Sequence, residues 1–100
     1  ALIGLTRAVA LEARTYGVTC NALCPGSVLT PQSDERVEQL RVSERLSRGE
    51  AERRFLADRQ GSGRFVTPAQ VAGFIQFVCS ESAAEINGAA LPIDGAWSAE

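Results

Sequence analysis

Side chains able to do acid–base or nucleophilic chemistry are scarce in this chain. Its 100 residues include no His, ten Arg but no Lys, one Tyr at position 16, and three Cys at positions 20, 24 and 79. The acid pairs Asp34/Glu35 and Glu50/Glu52 are spaced for acid–base work, but they sit among arginines in polar sequence, where solvated ion pairs are the ordinary outcome. Without His or a Cys-x-x-Cys pair, zinc has almost no ligands to draw on. On an extended strand Cys20 and Cys24 would stand about 13 Å apart, at about 3.3 Å per residue, too far for a disulfide. Buried, reduced thiols are the expectation. No glycine cluster of the phosphate-cradling kind is present. What remains is main-chain chemistry, and one stretch is suited to it. From Asn21 the apolar run Ala-Leu-Cys stops at Pro25-Gly26 and gives way to Ser27-Val-Leu-Thr-Pro31. This reads as a buried strand opening into a loop, and in parallel α/β sheets ligands settle just beyond the carboxyl ends of strands.

The elements that would position this loop follow from the pattern on either side. Leu2, Leu5, Val9 and Ala13 have helical spacing, and Ile3, Ala8, Ala10 and Leu11 widen the stripe around most of the circumference. That predicts a helix from Ala1 to Tyr16 packed on two sides, with Gly4 giving another backbone a close approach. Gly17 falls where a left-handed cap belongs, and 18–24 then runs almost without charge as a strand. After the loop, Ser33 or Asp34 is expected to cap a helix carrying Val37 and Leu40. Ser47-Arg-Gly-Glu50 fits a capping box for a second helix with Ala51, Phe55 and Leu56. These two thinly apolar helices could form either a cover over the loop or a solvated hairpin. Gly61-Ser-Gly63 is punctuation. Thr67, Pro68 and Gln70 then mark a helix start, with Val71, Phe74, Ile75 and Val78 on one face. Asn87-Gly88 is a turn before a short strand, Ala89 to Ile93, whose Pro92 suits a strand end.

Composition bounds the class. A chain of this length, 45% hydrophobic, makes one small domain with a modest core. The net charge of −2 comes from interleaved signs, which disfavours nucleic-acid binding. No apolar run reaches the roughly 20 residues of a membrane span, and Ala1-Leu-Ile-Gly4 is unlike a signal peptide. A soluble, cytoplasmic protein is expected, with no nucleic-acid or membrane partner.

Four pieces, in order and spacing over the whole chain, carry a resemblance. They are 1–12, 17–26, Thr67-Pro68 opening a helix, and Asn87-Gly88 leading to Ile93-Asp94-Gly95. Together they resemble the C-terminal part of a classical short-chain dehydrogenase/reductase. Within that family Cys24 to Pro31, Gly63 to Thr67 and the tail from Ala90 are most similar to the D-3-hydroxybutyrate dehydrogenases. The resemblance implies an α/β fold, the C-terminal portion of a Rossmann-like doubly wound parallel sheet in the order helix, strand, loop, helices, helix, strand. Residues 1–100 would form part of a single NAD(P)-binding domain whose N-terminal half is absent.

For function, the resemblance implies a parent enzyme moving hydride between NAD and 3-hydroxybutyrate or acetoacetate, a small hydroxy or keto acid. By the same likeness Pro25 and Gly26 lie beside the nicotinamide, and backbone groups of Val28, helped by Thr30, bind its carboxamide. Ser27 and Arg36 fall at substrate-lining positions, although that subfamily is expected to have a Trp in place of Ser27 and a Gln near Arg36. Arg36 could instead pair with a substrate carboxylate. Ala96 replaces the family's second Gly after Asp94. The glycine-rich loop, the catalytic Ser and the Tyr-x-x-x-Lys pair would lie upstream, the Lys about two residues before Ala1 by motif register. Tyr16 does not replace that Tyr, since Cys20 stands four residues on. The chain therefore carries no catalytic residue of its own and is expected neither to bind NAD nor to turn over alone. NADP stays open, because the other half reads the 2′-phosphate. Two alternatives stand: a fragment of an NADPH-dependent 3-oxoacyl thioester reductase, and a non-catalytic interaction module. For the latter, 1–13 and 91–97 match elements used at subunit contacts in the family, whose members form homo-oligomers, dimers or tetramers.

Overall fold

The computed structural model describes residues 1–99. Six main elements follow in order: α1 (Leu2–Ala13), β1 (Ala22–Pro25), α2 (Pro31–Glu44), α3 (Arg48–Leu56), α4 (Pro68–Val78) and β2 (Ala90–Ile93). The two strands are neighbours in one sheet. The Ala22 amide donates to the Ala89 carbonyl at 2.9 Å and the Gly26 amide to the Ile93 carbonyl at 3.1 Å. Partners that advance together along both strands make the pair parallel, and a parallel pair needs a long crossover, here filled by α2, α3 and α4. The chain divides into two compact units, the first Ala1–Cys24 with Ala72–Pro92, the second Pro25–Val71 with the residues from Ile93 on.

In the first unit, α1 continues as a short 3₁₀ turn (Arg14–Tyr16) and ends at Gly17 in the left-handed conformation, φ 71°. Only Thr6 and Ala10 of α1 are buried. Leu2, Ile3, Leu5, Val9 and Leu11 are exposed, so a helix expected to be packed on two sides is covered on one. A Cβ at Gly4 would meet nothing within 4 Å, so no backbone among the described residues makes the expected close approach there. The strand is shorter than expected. Residues 18–21 are outside β1 because side chains take over the ladder: the Cys20 amide donates to Asn87 Oδ1 at 2.9 Å, Asn21 Nδ2 to the Ile86 carbonyl at 2.8 Å, and the Ala89 amide to Asn21 Oδ1 at 3.0 Å. Cys20 is half-buried and Cys79 exposed; with half-buried Cys24, all three thiols are free but none is fully buried as expected.

In the second unit, α2 and α3 pack as a hairpin. The cap of α2 is Thr30, one turn before the expected Ser33 or Asp34. Its hydroxyl accepts from the Ser33 amide at 3.2 Å, Pro31 takes the first helical position, and the Ser33 hydroxyl closes the box. Pro has no amide to lose there, so the helix starts at it. Ser47 and Glu50 form the expected box on α3. Arg48 joins the two helices, reaching Asp34 at 2.5 Å, Glu38 at 3.4 Å and Glu52 at 3.0 Å, and Arg54 pairs with Glu44. Val37, Ala51, Leu56 and Val66 are the buried apolar residues of this unit. Phe55 stacks on Phe65 with ring centroids 5.7 Å apart, and the Arg59 guanidinium lies 4.5 Å above the Phe55 ring. Thr67 and Gln70 cap α4 as the sequence predicts: the Gln70 amide donates to Thr67 Oγ1 at 3.1 Å, and the Thr67 amide to Gln70 Oε1 at 2.9 Å.

Candidate functional site

The loop leaving β1 lies wholly in the second unit, and a single bridge fixes it. Val28 pairs with Val66 in a parallel bridge: the Val66 amide donates to the Ser27 carbonyl at 2.9 Å and the Leu29 amide to the Val66 carbonyl at 2.9 Å. In that geometry the central residue, Val28, turns its own N–H and C=O away from the partner segment. The Val28 amide has no hydrogen-bond partner among the described residues. Its carbonyl accepts only from the Ser33 hydroxyl at 3.1 Å, which leaves a second lone pair. One residue thus offers a free donor and a partly free acceptor side by side on a half-buried loop.

Gly26 is required by its surroundings. A Cβ there would collide with Gln60 Oε1 and lie 2.9 Å from both Cα and Cβ of Asp94. The contact with Asp94 main chain cannot be relieved by a rotamer change. Thr30 is exposed; its hydroxyl oxygen accepts from the Ser33 amide as the helix cap and lies 3.2 Å from the Ser33 hydroxyl. Pro25 is exposed at the strand end. Ser27 has both main-chain groups occupied, its amide by Gln60 Oε1 at 2.8 Å and its carbonyl by Val66. Arg36 is exposed on α2, with no ion pair among the described residues. The structure therefore gathers Pro25, Gly26, Ser27, Val28 and Thr30 on one loop, with Arg36 on the helix that leaves it. Of the acid pairs, Glu50 is spent on a cap, and Asp34 and Glu52 on Arg48.

Sequence reasoning missed Gln60. It is buried, 4% exposed, and holds the loop from beneath. It also borders a cavity of about 400 Å³ lined by Ser62, Arg64, Phe65, Val66 and Ile93, which none of the six predicted site residues lines. A polar residue after a helix, followed by Gly61-Ser-Gly63, was the available signal, but nothing local says that its partner is 33 positions away.

The profile described as Enoyl-(Acyl carrier protein) reductase matches residues 1–98. The chain belongs to the short-chain dehydrogenase/reductase family. It is 39% identical over 99 residues to a D-beta-hydroxybutyrate dehydrogenase of Cupriavidus necator and 42% identical over 98 residues to dehydrogenase/reductase SDR family member 6 of Aquarana catesbeiana. The alignments take in 99% and 98% of this chain and 38% of each relative's length, so it spans well under half of those proteins. Among solved structures it is similar to the F189W actinorhodin polyketide ketoreductase with NADPH, at a TM-score of 0.76 and 32% identity over 99% of this chain and 38% of that one. The fold is accordingly the α/β, Rossmann-type fold of this family.

Members of this family bind nicotinamide nucleotides. The loop fits the carboxamide end of such a group. A carboxamide carries one acceptor and one two-proton donor, the complement of the free N–H and partly free C=O of Val28. None of the described helices is long and apolar enough to cross a membrane.

Proposed function

We propose that this chain supplies the nicotinamide-side wall of an enzyme that moves hydride reversibly between NAD and 3-hydroxybutyrate or acetoacetate. The observation that carries the reading is the main chain of Val28, turned away from the Val66 segment, with an amide that has no partner among the described residues. Val28 N–H and C=O bind the carboxamide, the Thr30 hydroxyl adds a donor, and Pro25-Gly26 sets the loop against the ring. When bound, the nicotinamide supplies the hydride chemistry. These residues fix its orientation; they move no proton, and the acid–base pair comes from sequence upstream of Ala1. Ser27 shapes the adjoining wall, and Arg36 holds the substrate carboxylate as a bidentate partner.

The likeness to hydroxybutyrate dehydrogenases supports the substrate. The exposed, free Cys79 suits a reducing, cytoplasmic setting. The exposed apolar residues of α1 suit a homo-oligomeric parent. NADP remains the alternative cofactor. A 3-oxoacyl thioester reductase is the second reading, favoured by the likeness to a polyketide ketoreductase with NADPH.

The substrate role is tested by Arg36→Ala in the full reading frame that contains this chain. The expected result is a rise of about tenfold or more in KM for 3-hydroxybutyrate, the scale of one lost charge-assisted pair, with KM for NAD unchanged. An unchanged substrate KM removes Arg36 from the site.

A further inference from the structure

Gln60 lies beyond the end of α3, and its side chain is tied to the loop. Its carboxamide oxygen accepts from the Ser27 amide at 2.8 Å and its nitrogen donates to the Arg64 carbonyl at 2.8 Å. The amide orientation is fixed by its partners, because an N–H can only meet the oxygen and a C=O only the nitrogen. Gln60 also packs where two glycines leave no room. A Cβ at Gly95 would lie 2.7 Å from Gln60 Cγ, and one at Gly26 would collide with Gln60 Oε1. The Ser27 carbonyl is held on the other side by Val66, two residues beyond Arg64. One buried side chain therefore spans the two segments whose pairing turns the Val28 main chain away from Val66.

We propose that Gln60 is a positioning residue for the nicotinamide-side loop, setting the register in which Val28 presents its main-chain pair. The proposal rests on the reading that this loop meets the cofactor. Gln60 itself touches no reacting group. It acts through the Ser27 peptide, since losing that bond leaves the half-buried Ser27 amide unpaired and lets the 26–28 turn shift.

The test uses the full reading frame with two variants. Gln60→Leu keeps the volume and deletes both bonds; the expected result is a rise of about tenfold in KM for NAD with a smaller change in KM for substrate. Gln60→Glu is the readout that general destabilisation would not reproduce. As a carboxylate it accepts from Ser27 but opposes the Arg64 carbonyl. Once protonated it donates to that carbonyl and restores both bonds. Burial raises the introduced carboxyl above its usual range. The KM of Gln60→Glu for NAD is therefore expected to return toward wild type as pH falls, with no such recovery in wild type. If Gln60→Leu fails to fold, the pH dependence of Gln60→Glu decides alone. A cofactor KM within twofold of wild type in Gln60→Leu, or no acid recovery in Gln60→Glu, overturns the proposal. A wild-type protein that binds no nicotinamide nucleotide overturns the functional reading itself, and this is visible before any variant is made.

Discussion

At the residue scale, two of the described positions adopt a backbone conformation that their side chains disfavour. Arg45 ends α2 at φ 54°, and Ala96 sits at φ 72° next to Gly95 at φ 57°. A left-handed L-residue costs roughly 1–2 kcal/mol, part of which a glycine gives back as unfolded-chain freedom. Ala96 is exposed, so its methyl group contributes little packing. Ala96→Gly in the full reading frame is therefore expected to stabilise by about 0.5–1 kcal/mol. The denaturant midpoint reads this out, and an unchanged or lower midpoint contradicts it. Legibility at this scale divided by range. Thr67, Pro68, Gln70, Ser47 and Glu50 were readable because a cap is satisfied within three residues. Thr30 was passed over for Ser33 and Asp34, although Pro31 at the first helical position was the better marker. Gln60 could not be found from neighbours in sequence, because both the Ser27 contact and the glycine cradle come from distant segments.

At the element scale, the α2–α3 hairpin depends on charge. Hydrogen bonds from Arg41 hold the Glu38 carboxyl below its ordinary range, aided by Arg48, and the hydrogen bonds from Ser47 do the same for Glu50. A carboxyl whose folded pKa is depressed adds stability that is fully present above its unfolded value and is lost as pH falls through the folded one. Helicity of 31–56 is thus expected to be flat near neutrality and to weaken below about pH 4. Both groups are exposed, so the effect is modest. Amide exchange across the hairpin between neutral and acid pH checks it; protection that increases on acidification contradicts it. The two helices were legible as elements and a hairpin was one of the two arrangements the sequence allowed, but the ion pairs that join them were not, because Arg48 has several acids within reach in any helical arrangement. The strand from 18 to 24 was overextended for a physical reason: Asn21 and Asn87 form hydrogen bonds that an apolar pattern does not encode.

At the scale of the molecule, sequence pattern alone reached a strand ending in a loop, and the family resemblance gave that ending a purpose. The described apolar core is small, with Leu56 and Val37 its largest fully buried side chains, while much of α1 and Trp97 stay exposed. A 100-residue chain with such surfaces is expected to melt without a cooperative transition and to bind hydrophobic dyes. A sharp two-state melt by circular dichroism would show that it folds without further sequence. Under the proposed reading catalysis adds a second dependence, since the loop that would orient the cofactor through Val28 and Gly26 holds no acid–base group. The most direct test compares 3-hydroxybutyrate-dependent NADH formation by the full reading frame with that by purified residues 1–100. Turnover by the first and none above background by the second is the predicted result; turnover by residues 1–100 alone, or no nicotinamide binding by the full protein, would contradict it.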